Sequence, residues 1–303
     1  MTNFFKNLYQ SFFPYKLGES IFIIRFEISK FFLKRKIILF LEDKISELPD
    51  DVIDVLNYLK FNKLCVIPYN FISNYNFNDI VVYNDLGSGL NYVLHKGYKL
   101  FFKRSMTPIE IKKYYTSLLI EQDSNSPHCY LSESFYIHNG TILVDVGAAE
   151  GFLSIEQINN ASRIYMFEVN PEWIEALNET FKPWIDKVTI INKYASNINC
   201  ENQITLDSYF SDFEKIGLVK IDVDGAESIV LDGISSLFKA GKISNLALCT
   251  YHNQSDYENF SELLTKMNFT VMPTEGYMIF YCDNINILPP YLRKGVIRAK
   301  YNL

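Results

Sequence analysis

From residue 141 onward the chain alternates short, almost continuously apolar runs with amphipathic stretches. The runs are Ile142–Val146, Arg163–Phe167, Val188–Asn192, Leu218–Val223 and Leu246–Tyr251. Runs of this kind suit strands buried on both faces, which means a parallel sheet covered by helices on each side. The intervening stretches have the helical period. Asn170-Pro171 opens one with Ile174, Leu177 and Phe181 on one side, and Ser255-Asp256-Tyr257-Glu258 reads as a capping box ahead of Phe260, Leu263, Leu264 and Met267. Near the end, Phe269–Met272 and Tyr277–Tyr281 are separated only by Pro273-Thr274-Glu275-Gly276. That connection is too short for a crossover, so the pair predicts an antiparallel hairpin at the sheet edge.

The earlier part has another texture. Residues 1–60 read as helical, with Val52, Val55, Leu56 and Leu59 on one face. Ile80–Tyr83, Leu90–Leu94 and Tyr98–Phe102, punctuated by Gly87-Ser88-Gly89 and His95-Lys96-Gly97, predict a small antiparallel meander. Thr107-Pro108-Ile109-Glu110 is a capping box opening a helix to about Ile120, followed by a polar loop from Glu121 to Tyr130. These textures divide the chain into an N-terminal helical region with a small hairpin (1–120) and an α/β domain (121–303).

Composition adds limits. The chain is 48% apolar and 21% charged, with a net charge of −6 and a pI near 5.4. That balance argues against nucleic acid as the main partner. The charge is uneven, since residues 1–40 hold seven Lys/Arg against two Glu. This basic, Phe-rich start permits a weak contact with an anionic membrane face, the alternative being helices packed on the body. Five scattered cysteines without a CxxC pair suit a reducing cytoplasm. No signal-peptide pattern or membrane-length apolar run is present, so a cytoplasmic location is expected.

The first parallel strand runs into Asp145-Val146-Gly147-Ala148-Ala149-Glu150-Gly151 and then a helix. Glycines there let the backbone turn and approach a ligand beside a helix N-terminus. The second strand ends at Glu168, placed to accept hydrogen bonds from ribose hydroxyls. The pyrophosphate-clearing second glycine of a dinucleotide loop is replaced by Ala149, which favours S-adenosylmethionine over NAD. Asp222 and His252 end neighbouring strands, and a histidine there suits proton removal from a hydroxyl. Lys220 beside these acids also permits a plain ion pair inside the sheet. Asp207, Asp222 and Asp224 offer oxygen donors for a divalent cation, but no spacing singles them out and no metal is assigned.

Val144–Gly151, Phe167-Glu168-Val169-Asn170-Pro171, Thr205-Leu206-Asp207, Val219–Glu227 (VKIDVDGAE) and Tyr251-His252 together resemble the ordered motifs of the FkbM-type methyltransferases, over roughly residues 120–285. The resemblance implies a Rossmann-like class I methyltransferase sheet and S-adenosylmethionine as cofactor. It implies an O-methyltransferase acting on a hydroxyl of a sugar, glycan or related metabolite. Asp145, Gly147 and Gly151 would line the methionine end, with Asp222 near it, and Glu168 the ribose. His252 and Asp222 are the candidate catalytic residues, and His128 and Asp224 the candidate acceptor contacts. An NAD-dependent oxidoreductase and a binding module that has lost catalysis are the alternatives.

Overall fold

The structure is a computed structural model describing the backbone of residues 17–213, 215–281 and 287–302. The first sixteen residues of the basic start, with Lys6 and Lys16, lie outside the described residues. The helices α1 (Leu17–Glu42) and α2 (Asp50–Phe61) come first, then the strands β1 (Tyr83–Asn84), β2 (Asn91–His95) and β3 (Tyr98–Phe101) and the helix α3 (Pro108–Glu121). The α/β part follows as β4 (Ile142–Val146), α4 (Phe152–Glu156), β5 (Arg163–Phe167), α5 (Pro171–Phe181), β6 (Val188–Ile191), β7 (Tyr194–Ala195), β8 (Gln203–Ile204) and α6 (Leu206–Tyr209). It continues through β9 (Ile216–Ile221), α7 (Glu227–Asp232), α8 (Ser235–Lys239), β10 (Ile243–Cys249), α9 (Asp256–Lys266), β11 (Phe269–Pro273) and β12 (Val296–Tyr301).

Seven strands form one sheet in the order β6-β5-β4-β9-β10-β12-β11. All neighbours from β6 to β10 are parallel, and β12 runs antiparallel to both β10 and β11. This is the Rossmann-like class I methyltransferase sheet expected from the sequence, with its C-terminal antiparallel pair. The chain steps outward from β4 to β6, then returns to lay β9 on the other side of β4. The carboxyl ends of β4 and β9 therefore flank the switch point, where an open α/β sheet leaves a crevice for ligands.

Strand alternation sorts the apolar side chains into two layers. Leu143, Leu218 and Ala247 enter one core with α3, α5 and the β2–β3 hairpin. Val144, Val219, Leu246 and Leu248 enter the other with Leu231, Phe238 and Phe260. The two N-terminal helices pack a third cluster around Ile37, Leu56 and Leu59.

Two local expectations are corrected. The partner of β11 is β12, not Tyr277–Tyr281. Met278 and Phe280 are buried in the first core, while Ile279 and Tyr281 point into the N-terminal helical cluster. An apolar run that serves two cores looks like a buried strand, yet Ile279 N–H donates to the carbonyl of Val66 at 2.9 Å. The second correction concerns the start of α9. Ser255 makes no side-chain capping bond, and Asp256 instead accepts from the backbone N–H of Asn253 at 2.9 Å. The expected caps on the other two helices are present: Asn170 accepts from the N–H groups of Glu172 and Trp173, and Glu110 accepts from Thr107 N–H.

Candidate active site

A cavity of about 230 Å³ opens at the switch point. Its floor is the β4 loop. Gly147 has φ of 78°, and a Cβ there would lie 2.0 Å from the backbone oxygen of Asp222. Only glycine fits, and the close approach of the two chain segments depends on it. Ala149 also adopts a left-handed φ of 48°. Glu168, at the end of β5, accepts from the N–H of Ala149 at 2.9 Å through Oε2, and from Val169 and Asn170 through Oε1. The acid thereby shapes the loop as well as facing the cavity. Gly151 sits elsewhere: it caps α4 with φ of 82° and packs on Phe181 and Leu177, outside the cavity lining.

Asp145 lies directly opposite Lys220 in the β4–β9 register. Lys220 Nζ is 3.2 Å from Asp145 Oδ1 and donates to the carbonyl of Gly147 at 2.6 Å. Burial opposes the lysine's charge, but the Asp145 and Asp222 carboxylates outweigh it and push its pKa well above the ordinary value. The ion pair within the sheet is therefore real, and it also ties β9 to the glycine loop.

The opposite wall is a cluster around Asp222. Tyr130 donates to Asp222 Oδ2 at 2.6 Å and Tyr251 to Oδ1 at 3.2 Å. Burial works against ionisation, yet Lys220, the two nearby histidines and the Tyr130 hydrogen bond hold the carboxyl well below its usual range. His128 Nε2 is 3.7 Å from Asp222 Oδ2, and burial lowers its pKa to about 4, leaving it neutral at neutral pH.

His252 stands behind this wall, not in it. Its side chain is 3% exposed, with Nδ1 2.9 Å from Glu227 Oε1 and Nε2 3.9 Å from Asp222 Oδ1 and Asp224 Oδ1. Burial disfavours its charge, but Glu227, Asp222 and Asp224 prevail and raise the pKa to about 9. An imidazole that already holds its proton at neutral pH cannot remove another. The base role expected of His252 therefore has no support in this geometry. Asp222, Asp224 and His128 do face the cavity. Asp207 does not, because both its oxygens accept from backbone N–H groups of Ser236 and Leu237.

Several cavity residues carried no signal in the sequence. Glu121 and Glu150 line it, and Tyr114 donates to Glu150 at 2.7 Å. Burial, partly offset by that hydrogen bond, raises Glu150 to about 7. Burial and the nearby Asp222 and Glu150 raise Glu121 well above the carboxylate range. Arg298 on β12 donates to the carbonyls of Cys129, Tyr130 and Leu131, holding the loop that carries His128 and Tyr130. Glu150 adjoins the glycine loop and could have been suspected. Nothing local marks Arg298.

No protein-family model matches the chain, and no curated protein matches it. Solved structures do show likeness. Methyltransferase FkbM from Methylobacillus flagellatus is 15% identical with a TM-score of 0.44, the match covering 63% of this chain and 54% of that one. The match thus spans about half the length of that protein. A precorrin-6y C5,15-methyltransferase from Geobacter metallireducens is 16% identical with a TM-score of 0.36, over 54% of this chain and 82% of its own. An rRNA methylase from Streptococcus thermophilus is 16% identical with a TM-score of 0.38, over 55% and 90%. The architecture rests on the strand order of this chain itself. Among the described residues, no helix is long and apolar enough to cross a membrane.

Proposed function

We propose that the chain is an S-adenosylmethionine-dependent O-methyltransferase acting on a hydroxyl of a sugar, glycan or related metabolite. The observation that carries this reading is the sign of the cavity. Among the described residues Asp145, Glu168, Asp222 and Asp224 line it against Lys193 and Lys220, while burial keeps Glu121 toward its neutral form and Glu150 gains its charge only above about pH 7. A surplus of carboxylates at a glycine-cradled switch point suits a ligand bearing sulfonium and ammonium charges, and repels the pyrophosphate of NAD. The donor set fits the group: Glu168 would hold the ribose hydroxyls, Gly147 gives the backbone clearance, and Asp145 with Lys220 fixes the loop. Bound there, S-adenosylmethionine supplies an electrophilic methyl group.

The chain's own residues then have to orient the acceptor and receive its proton. Asp222, held ionised by Lys220 and by two tyrosine hydroxyls, accepts a hydrogen bond from the acceptor hydroxyl and aligns its lone pair. As the C–O bond forms, that hydroxyl becomes far more acidic than a carboxylic acid, so even a weak carboxylate base takes the proton. Asp222 is accordingly the catalytic residue of this reading, His128 and Asp224 are acceptor contacts, and Glu227 with His252 are positioning residues.

Calorimetry on the full chain tests the reading. S-adenosylmethionine should bind more tightly than S-adenosylhomocysteine, which lacks the sulfonium charge, and NAD should not bind. Tight NAD binding with no heat from either sulfur compound would overturn it.

A further inference from the structure

Asp222 has two differently occupied oxygens. Oδ2 faces Tyr130 and His128. Oδ1 accepts from the Tyr251 hydroxyl at 3.2 Å and also faces His252 Nε2 at 3.9 Å, and the same nitrogen lies 3.9 Å from Asp224 Oδ1. That separation is too long for a hydrogen bond. It is, however, within the ~3–4 Å spacing of two donors that each sit ~2.0–2.2 Å from one ion. Donor atoms of Asp222, Glu227 and His252 all lie within 4.8 Å of one another.

The second observation is independent of the acids. His252 is 3% exposed, and neither ring nitrogen makes a well-formed hydrogen bond among the described residues: Nδ1 lies 2.9 Å from Glu227 Oε1, and Nε2 has nothing nearer on its acid side than the two carboxylate oxygens at 3.9 Å. Leaving such an atom unpaired in the interior costs about 1–3 kcal/mol, so it normally marks a missing partner. Glu227, fully buried, stands against the other ring nitrogen at 2.9 Å, and its Oε1 is itself held by the N–H of Val223 at 3.0 Å. A carboxylate on Nδ1 that aims Nε2 at a pair of acids is the arrangement by which proteins orient a metal-bound histidine. Three carboxylates around one imidazole also leave negative charge in surplus.

We propose that His252 Nε2, Asp222 Oδ1 and Asp224 form a site for one divalent cation, with Glu227 orienting the histidine from behind. Asp224 is 38% exposed on a turn where it and Gly225 both have positive φ, and its Oδ1 already lies 3.9 Å from His252 Nε2. The ion would displace the proton that the surrounding acids otherwise hold on the imidazole, releasing it to solvent. Two carboxylate oxygens with one neutral imidazole then suit Mn²⁺ or Mg²⁺, with the remaining positions open to water or a hydroxyl. Asp222 and Asp224 line the cavity, so those positions face the acceptor side. The site is defined without reference to methyl transfer. If that reading also holds, the ion would bring an acceptor hydroxyl beside Asp222 Oδ2.

Mn²⁺ titration of the full chain, followed by loss of the free-ion paramagnetic resonance signal, tests the site. One Mn²⁺ per chain should bind, with Mg²⁺ competing. Asp224→Asn, on an exposed turn that should leave folding intact, should weaken binding at least ~10-fold, as should His252→Gln. Glu227→Gln should weaken it ~10–100-fold, the range for an outer-shell partner. An unchanged free-ion signal up to millimolar protein, or wild-type binding by Asp224→Asn, would sink the proposal. Because buried substitutions can unfold the chain, Asp224→Asn with an unaltered melting temperature is the deciding variant. Calorimetry with S-adenosylhomocysteine on the same samples reports separately on the methyltransferase reading, so either can fail alone.

Discussion

On the β4–β5 side of the cavity the ligand-facing surface is mostly backbone: Gly147 and Ala149 in left-handed conformations, and Glu168 gathered onto three neighbouring N–H groups. On the β9–β10 side it is a cluster of side chains drawn from separate parts of the chain. Asp222 ends β9, Tyr251 follows β10, and His128 and Tyr130 ride a loop tethered by Arg298 of β12. The first wall is set by residues within one strand–loop–helix unit and is closed to variation by steric fit. The second has electrostatics that no single segment sets. His128 and His252 are almost equally buried and both lie within 4 Å of Asp222. Yet the first is held near 4 by burial, while the second is raised to about 9 because Glu227 lies against its ring. Burial alone does not decide a histidine's charge; the neighbouring acids do.

The largest expected effect strikes the backbone wall. Gly147→Ala should cost about 3–5 kcal/mol in chemical denaturation, from a left-handed φ combined with a clash against a backbone oxygen that cannot retreat. Ligand binding should vanish with it. Gly151→Ala meets only side chains of Phe181 and Leu177, so it should lower stability but leave affinity for S-adenosylhomocysteine within a few-fold. Equal loss of affinity in both variants would mean that the cavity does not depend on the Gly147 cradle.

Glu150 gives the next effect, and it depends on pH. Its carboxyl ionises near 4.5 in the unfolded chain but keeps its proton to about 7 when folded, mainly through burial. Between those values the unfolded chain holds fewer protons, so stability falls as pH rises through this window. Glu150→Gln should therefore stabilise the ligand-free protein by up to roughly 3 kcal/mol at pH 8, about 1.4 kcal/mol per pKa unit, and bring no gain at pH 4. A cationic ligand should reverse the shift, so binding at pH 6.5 should release protons, visible as heat that varies with buffer. A buffer-independent heat would show that Glu150 does not sense the ligand's charge.

Glu168→Ala should weaken S-adenosylhomocysteine binding by about 1.5–3 kcal/mol and, since three N–H groups lose their acceptor, reduce stability too. Unchanged affinity would remove it from the ribose site. Tyr130→Phe, on the side-chain wall, should be mildest for folding at about 1 kcal/mol. Its signature should be a lower kcat with cofactor affinity unchanged, because the hydroxyl removed donates to Asp222 Oδ2 while the ring and its contacts stay. A loss of cofactor affinity instead would mean that the two walls are not separable.

Local sequence determined the parallel strands, the glycine loop and Glu168, because each depends on residues within one strand–turn–helix unit: apolar runs, left-handed positions, a carboxylate beside its own amides. The pairing of Lys220 with Asp145 was half legible, since a lysine in an apolar strand demands an acid, but which acid depended on the register of β9 against β4. Tertiary structure alone decided the rest. It placed Val296–Tyr301 between β10 and β11, because the competing apolar run at Tyr277–Tyr281 was needed to fill two cores at once. It brought Glu121 and Tyr130 to the cavity, and Arg298 to the carbonyls of the loop that carries Tyr130, across long sequence separations. It also put Glu227 against His252, turning a candidate base into a buried cation. Charge in an interior is set by what lies within a few ångströms in space, where the dielectric is low, and the order of residues along the chain does not record that distance.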